Sequence, residues 1–145
     1  MHPVERIVRE LGGIASTAEL IQRGCDTDMI RLVESYRKIV RIRQGWYATP
    51  DVPADSFRAW RAGGRLTCVS AAIFHGLWAD DDAALHVRVD ANTARVRRAP
   101  DIVLHWTRRP ATGSRLVVSL PEALETIARC QPSEVFHAIR SAANR

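Results

Sequence analysis

Basic side chains concentrate in the stretch from Arg31 to Tyr47, where five of them stand against a single acid, Glu34. Guanidinium groups pair with phosphate oxygens and bind guanine O6 and N7 bidentately. The five basic residues are Arg31, Arg37, Lys38, Arg41 and Arg43. The chemistry that this stretch predicts is the binding of duplex DNA.

The charge of the whole chain favours an anionic partner and excludes several kinds of enzyme. The 145 residues have a formal net charge of +5, and Lys38 is the only lysine among 21 basic residues. A P-loop needs a Gly-Lys pair, but Arg37 precedes Lys38, and the sequence contains neither G-x-S-x-G nor H-E-x-x-H. We therefore expect a protein that is not an enzyme and that uses no cofactor.

The composition, 46% hydrophobic and 26% charged, is that of an ordinary globular protein. No apolar run approaches the roughly 18 residues of a membrane-spanning helix. The N-terminus lacks the apolar region of a secretory signal. We therefore expect a cytoplasmic protein with no membrane partner.

Apolar spacing and capping residues predict three short helices that position the basic side chains. Apolar residues at i, i+3, i+4 and i+7 indicate a first helix over residues 4–11. A capping box that begins at Ser16 opens a second helix, which Gly24 ends. Asp26 or Thr27 caps a third helix. The inward face of that helix is predicted to contain Met29, Ile30 and Val33.

A hairpin follows the third helix. Residues 40–43 alternate between apolar and basic side chains, and Gln44-Gly45 is a turn signal before a returning strand at 46–48. Three helices and a hairpin within residues 1–50 are typical of a winged helix-turn-helix domain. The predicted fold class is therefore α+β, with this N-terminal winged helix-turn-helix followed by a small mixed α/β domain at residues 51–145.

In a winged helix-turn-helix the N-terminal side chains of the third helix face the base edges of the major groove. Arg41 and Arg43, on one face of the hairpin, suit phosphates or a minor groove. Backbone amides at the capped start of the second helix could bind a phosphate. The predicted DNA-binding residues are Ser16, Thr17, Thr27, Asp28, Arg31, Arg37, Lys38, Arg41, Arg43 and Gln44.

Alternatives to DNA binding follow from the same residues. Short three-helix units also serve as protein-interaction modules, and a basic hairpin can be a solvated surface. Asp28 either accepts a hydrogen bond from cytosine N4 or complements the helix dipole.

The second part, residues 51–145, is predicted to bind a partner or to extend the DNA contact. Four helices are predicted in this part. The first covers 54–62, and the second begins at 67 or 70. The third follows a capping box at Ser119, and the fourth follows a cap at Ser133. Its predicted strands cover 85–90, 102–106 and 116–118. The run Asp80-Asp81-Asp82 predicts a solvated turn. A candidate second basic patch comprises Arg95, Arg97, Arg98, Arg108 and Arg109.

The cysteines and histidines of the chain lack the spacing of known metal sites. Cys25, Cys68 and Cys130 form no C-x-x-C motif, so we expect three thiols without a shared role. His86 and His105 could meet across neighbouring strands, with Cys68 or Asp90 near them. Because a metal site needs three or more converging ligands and no such spacing is visible, we expect none.

The stretches Gly13–Leu20 and Ile39–Ala48 resemble two motifs of one family, namely the entry to the second helix and the wing of AbiEi-type antitoxins. Arg43, Gly45 and Tyr47 stand as in that family, although Ile42 or Val40 replaces a leucine. Two later stretches also resemble family motifs, namely Val69–Trp78 and Ser119–Leu124.

The resemblance implies a transcriptional repressor with antitoxin character. Such a protein would bind its own promoter at inverted repeats, as a homodimer on DNA, and would neutralise a nucleotidyltransferase-like toxin. The alternatives are the non-catalytic N-terminal module of a Vsr-like endonuclease and a winged helix that binds only protein.

Overall fold

Local signals in the sequence account for most helices of a mixed α/β fold. The computed structural model describes residues 1–77 and 83–144, and those residues contain seven helices and two three-stranded sheets. The predicted acidic turn at 80–82 lies outside these ranges. In the described ranges no helix combines the length and the apolarity needed to cross a membrane.

The first part of the chain contains α1 (Pro3–Glu10), β1 (Ile14–Ser16), α2 (Thr17–Gln22), α3 (Thr27–Ser35), β2 (Val40–Arg43) and β3 (Trp46–Ala48). The predicted capping box opens α2, because Glu19 N–H donates to Ser16 Oγ at 3.1 Å and Ser16 N–H donates to Glu19 Oε1 at 2.9 Å. Asp26, one of the two predicted caps, accepts from Met29 N–H at 2.8 Å and starts α3.

The three strands of the first part form one antiparallel sheet in the order β1-β3-β2. The three-residue β1 was not predicted, since so short a segment shows no alternation of its own. It is defined by its pairing with β3, in which Ile14 lies opposite Ala48. The three helices pack beside the sheet around a buried cluster that contains Val4, Ile7, Val8, Leu20, Ile30, Val33 and Ile39.

The second part contains α4 (Ala54–Ala62), β4 (Arg65–Leu66), α5 (Cys68–Phe74), β5 (Leu85–Asp90), β6 (Ile102–Thr107), α6 (Leu120–Cys130) and α7 (Ser133–Ala143). The predicted strand at 116–118 is reduced to one bridge between Leu66 and Val117. Pro132, not Ser133, is the N-cap of α7. At α6, Glu122 N–H donates to Ser119 Oγ at 3.3 Å. The Ser119 N–H, however, donates to Thr112 Oγ1 at 3.1 Å and not to the Glu122 side chain. The predicted capping box is therefore only half formed.

The second sheet has the order β4-β5-β6, and β5 and β6 run parallel. Along β5 the apolar residues alternate with His86 and Arg88, yet these two are only 2% and 3% exposed. The central strand of a sheet that includes a parallel pair is covered on both faces, so side-chain alternation on it does not separate core from solvent. Arg88 is held there by Asp90 at 2.9 Å and by the Arg109 carbonyl at 2.5 Å.

An apolar cluster crosses the predicted boundary at residue 50. Trp60 of α4 stacks on Trp46 of β3 with ring centroids 4.6 Å apart, and both contact the cluster that contains Ile14 and Ile42. The Trp60 indole N–H donates to the Arg115 carbonyl at 2.5 Å. The division into domains 1–50 and 51–145 stays a prediction, but the two parts share buried surface.

Candidate nucleic-acid interface

The predicted recognition residues lie on the outer face of α3. Ile30 and Val33 are 2% exposed and anchor the helix against the core, while Thr27, Asp28 and Arg31 are exposed. Thr27 and Arg31 are four residues apart and therefore share a face. Asp28 lies in the first turn, where its carboxylate complements the helix dipole.

The chain leaves α3 through a left-handed residue that is not glycine. Arg37 has a φ of 57°, its N–H donates to the Glu34 carbonyl at 2.9 Å, and Lys38 N–H donates to the Val33 carbonyl at 3.2 Å. This is the Schellman arrangement, in which glycine is the usual left-handed residue. The sharp turn leaves Arg37 and Lys38 exposed between α3 and β2.

Arg41 and Arg43 are not equivalent, contrary to our expectation. The register of β2 against β3 shifts between them: Arg41 lies opposite Tyr47, Arg43 lies opposite Trp46, and Ile42 is the extra residue. Arg41 is exposed, but Arg43 is half-buried and its Nη1 donates to the Arg95 carbonyl at 3.4 Å. Burial, and secondarily the charge of Arg97, lower the pKa of Arg43.

The hairpin joins part of the predicted second basic patch. The Arg95 guanidinium donates to the Gln44 side chain at the tip of the hairpin, and Arg97 is close enough to repel Arg43 electrostatically. Arg98 is exposed on the same loop. Arg108 is also exposed, but Arg109 forms an ion pair with Glu125 of α6 at 2.9 Å. The predicted second patch is therefore divided, and the loop at 95–98 belongs with the hairpin.

Among the residues that the structure describes, the basic side chains of α3 and the hairpin have no acidic partners. Within the described ranges none of these five residues, Arg31, Arg37, Lys38, Arg41 and Arg43, takes part in an ion pair. Other arginines of the chain do pair: Arg9 with Asp51 at 3.1 Å and Arg58 with Asp101 at 2.9 Å. The charges of Arg31, Arg37, Lys38 and Arg41 are thus available to an external anion.

The backbone amides that we predicted to bind a phosphate at the start of α2 are hydrogen-bonded within the chain. The Ser16 N–H donates to the Glu19 carboxylate, and the Thr17 N–H donates to the Gly45 carbonyl at 2.9 Å. Both backbone donors are thus used within the chain. A carboxylate beside them would also repel a phosphate.

Local sequence patterns do not identify Arg115, whose guanidinium lies beside Glu19 at the start of α2. Its guanidinium contacts Glu19 through two bonds, at 2.7 and 2.5 Å, and donates to the Ile14 carbonyl at 3.0 Å. The bond with Arg115 is the main reason why the pKa of Glu19 is lowered to about 2. No local signal predicts a contact between residues 96 positions apart.

Two cysteines and two histidines converge beside β5 and β6, although we expected no metal site. One ligand atom from each of Cys68, His86, His105 and Cys130 lies within 4.8 Å of the others. Burial, followed by the contact with Cys130, raises the pKa of the Cys68 thiol. The spacing along the chain hides this group, because each member comes from a different element.

No family model matches the chain, and no curated protein matches it. The residues and their geometry are therefore the basis for assigning a function.

Proposed function

We propose that residues 1–50 form a winged helix-turn-helix that binds double-stranded DNA. The element order α1-β1-α2-α3-β2-β3, with β1 paired to β3, supports the proposal. In this arrangement α3 is the recognition helix and the β2–β3 hairpin is the wing. The exposed outer face of α3 leaves it free to enter a major groove.

The observation that carries the proposal is the row of uncompensated cations along α3 and the wing. Some exposed arginines elsewhere, among them Arg9 and Arg58, pair with nearby carboxylates, whereas Arg31, Arg37, Lys38 and Arg41 follow one another along α3 and the hairpin, exposed and without an acidic partner in the described ranges. Unpaired surface cations that are close together repel one another, and a polyanion relieves that repulsion. Duplex DNA is the polyanion that fits an exposed helix beside a hairpin.

Each cation has a distinct role in the proposed complex. Arg31, on the exposed face of α3, reads a guanine edge, and Thr27 lies one turn before it on the same face. Arg37, Lys38 and Arg41 contact phosphates on either side of the groove. The wing tip, formed by Gln44 and supported by Arg95, lies over the adjacent minor groove.

The biological role that we propose is repression of the protein's own promoter, with antitoxin character. The resemblance to AbiEi-type antitoxins supports this role and implies inverted repeats, a homodimer on DNA and a nucleotidyltransferase-like toxin as partner.

A second candidate function is a winged helix that binds protein. Apolar side chains stand among the cations: Leu32 is 49% exposed, Tyr36 70% and Val40 38%. Such a mixture of aromatic, aliphatic and basic residues is also found at protein interfaces.

The experiment that separates the two is DNA binding by fluorescence anisotropy, with the protein's own upstream region and a scrambled duplex. If about four phosphates are neutralised, log K falls with log[salt] at a slope of roughly −4. Arg31→Ala reduces the preference for the upstream region, and Arg41→Ala weakens binding to both duplexes. The matched control is Arg58→Ala, which removes the same charge from an arginine already paired with Asp101. A salt slope near zero, or equal losses in all three variants, contradicts the DNA proposal.

A further inference from the structure

We propose that Cys68, His86, His105 and Cys130 bind one Zn²⁺ ion in a structural site of the second sheet. The inference is independent of DNA binding. It arises from side chains that the proposed interface does not use.

The four residues converge although they are far apart in the sequence. Cys68 opens α5, His86 lies on β5, His105 lies on β6, and Cys130 is the last residue of α6. The parallel pairing of β5 and β6 brings the two imidazoles together, with His86 Nδ1 and His105 Nε2 2.9 Å apart. The contact between α5 and α6 brings the sulfurs of Cys68 and Cys130 to 2.7 Å.

The spacing of the ligand atoms fits a tetrahedral zinc ion. Zn–S bonds of about 2.3 Å and Zn–N bonds of about 2.0 Å place tetrahedral ligand atoms roughly 3.3–3.8 Å apart. The ligand atoms here all lie within 4.8 Å of one another. The Cys68–Cys130 and His86–His105 distances of 2.7 and 2.9 Å are shorter than this spacing, so each pair must move apart by up to about 1 Å for coordination.

The donor set selects the ion. Two thiolates and two imidazoles form the Cys₂His₂ set of structural zinc sites, whereas Mg²⁺ and Ca²⁺ prefer oxygen. Binding displaces one proton from each thiol, so that two thiolates balance the two charges of Zn²⁺ and two protons leave to solvent. Because four protein ligands complete the tetrahedron, no position remains for a substrate or a catalytic water.

Features around the ligands favour coordination. Gln131 Nε2 lies 3.9 Å from the Cys68 sulfur and 3.8 Å from the Cys130 sulfur, where it can donate to both thiolates. His86 N–H donates a hydrogen bond to Ser70 Oγ at 3.0 Å, which fixes the backbone at this histidine. Cys68 itself has a φ of 54°, a conformation that costs a non-glycine residue free energy and that is often kept where a side chain must be aimed.

The ion has a route to the site and a structural role there. Cys130 is exposed, and a cleft of about 260 Å³ is lined by Cys130 and His105. Coordination would link α5 and the end of α6 to strands β5 and β6 through metal–ligand bonds. It would therefore stabilise the second part of the chain.

The test uses the full chain, purified with a reductant, stripped of metal by a chelator and then given Zn²⁺. We expect about one zinc per chain by elemental analysis and a higher melting temperature in zinc than in chelator. Co²⁺ in place of zinc is expected to give the visible absorption of a tetrahedral site with thiolate charge-transfer bands. Zinc is also expected to protect Cys130, the exposed cysteine of the group, from a thiol reagent.

Matched variants connect the binding to these residues. Cys130→Ser, at an exposed helix end, is expected to lower zinc affinity by more than about 100-fold, and Gln131→Ala by about 10-fold. Cys25→Ala and His137→Gln remove a cysteine and a histidine outside the group and are expected to keep the zinc. The proposal is overturned if the reduced wild-type chain takes up no zinc, or if Co²⁺ gives no thiolate bands. It is equally overturned if the control variants lose as much zinc as Cys130→Ser, or if Cys68 and Cys130 are found only as a disulfide that takes up no zinc after reduction.

Discussion

Arg37 combines an unfavourable backbone conformation with an exposed charge. At a φ of 57° it occupies the position at which helices usually place glycine. Left-handed backbone costs a non-glycine residue about 1 kcal/mol or more. A guanidinium at this position is useful only if its charge has a function outside the fold, which agrees with the proposed phosphate contact.

Substitution of Arg37 should separate stability from binding. Arg37→Gly is expected to raise the free energy of unfolding by about 1 kcal/mol, because the left-handed strain disappears, while it weakens DNA binding. Arg37→Ala keeps the strain and removes the charge, so it is expected to weaken binding without the gain in stability. Urea unfolding and anisotropy measure the two effects. Unchanged DNA affinity in both variants would remove Arg37 from the interface.

The pair formed by Glu19 and Arg115 predicts a specific dependence of stability on pH. The folded-state pKa of Glu19 is about 2, which lies below the ordinary value of 4.5. The ion pair with Arg115 therefore contributes stability above pH 4.5. That contribution is lost as the pH falls from 4.5 towards 2. Because both side chains are 27% exposed, solvent screening limits it to about 1–2 kcal/mol.

The control for this prediction is Glu19→Gln, which keeps a hydrogen-bonding side chain at the capping position and removes the charge. Urea unfolding of both proteins at a series of pH values measures the difference in free energy. The difference is expected to be largest at neutral pH and to shrink below pH 4.5. A difference that stays constant down to pH 2 would show that the charge of Glu19 does not stabilise the fold.

At the scale of elements, the second sheet depends on a close approach between the end of α4 and β5. A Cβ atom at Gly64 would lie 1.8 Å from the Arg88 carbonyl oxygen, and backbone cannot yield as a side-chain end can. Arg88 and His86 both lie on β5. The position of β5, and with it the proposed zinc site, thus depends on a residue without a side chain.

Gly64→Ala is therefore expected to be strongly destabilising, by about 3 kcal/mol or more, because β5 must shift. Gly24→Ala is the comparison: no atom lies within 4 Å of its Cβ position, but its φ is +93°. That variant is expected to cost only about 1 kcal/mol of backbone strain. Thermal unfolding of the two variants measures the contrast, and equal losses would contradict a steric cause at Gly64.

At the scale of the whole molecule, the two parts of the chain are joined through Trp60. The indole packs in the cluster that also contacts Trp46 of the β2–β3 hairpin, and its N–H donates to the carbonyl of Arg115, whose side chain contacts Glu19. The hairpin and the capped start of α2 are therefore both supported by residues of the second part. The orientation of the proposed DNA interface depends on that support.

Trp60→Ala is expected to lower the free energy of unfolding by about 3–5 kcal/mol and to weaken the proposed DNA binding, because the base of the β2–β3 hairpin loses its packing. Trp60→Phe keeps much of the volume and is expected to cost less. Urea unfolding followed by far-UV circular dichroism should show one transition for wild type, since the two parts share buried surface. Two separate transitions, with the first unaffected by Trp60→Ala, would show that the parts are independent.

The sequence by itself determined the elements whose signals are local. The apolar spacing of α1, the caps at Ser16 and Asp26, and the turn at Gln44-Gly45 all rest on interactions within a few residues. Such interactions act in the same way wherever the element lies in the fold. The basic stretch from Arg31 to Arg43 was visible for the same reason, because consecutive exposed elements carry it.

Only the tertiary structure decided how distant residues meet. It defined β1 and β4 through their partners, shifted the register between Arg41 and Arg43, buried Arg88, and joined Arg115 to Glu19. It also gathered Cys68, His86, His105 and Cys130 into one group. Strand register and side-chain clusters depend on contacts between segments that are far apart in the chain, and neither periodicity nor capping carries information about such contacts.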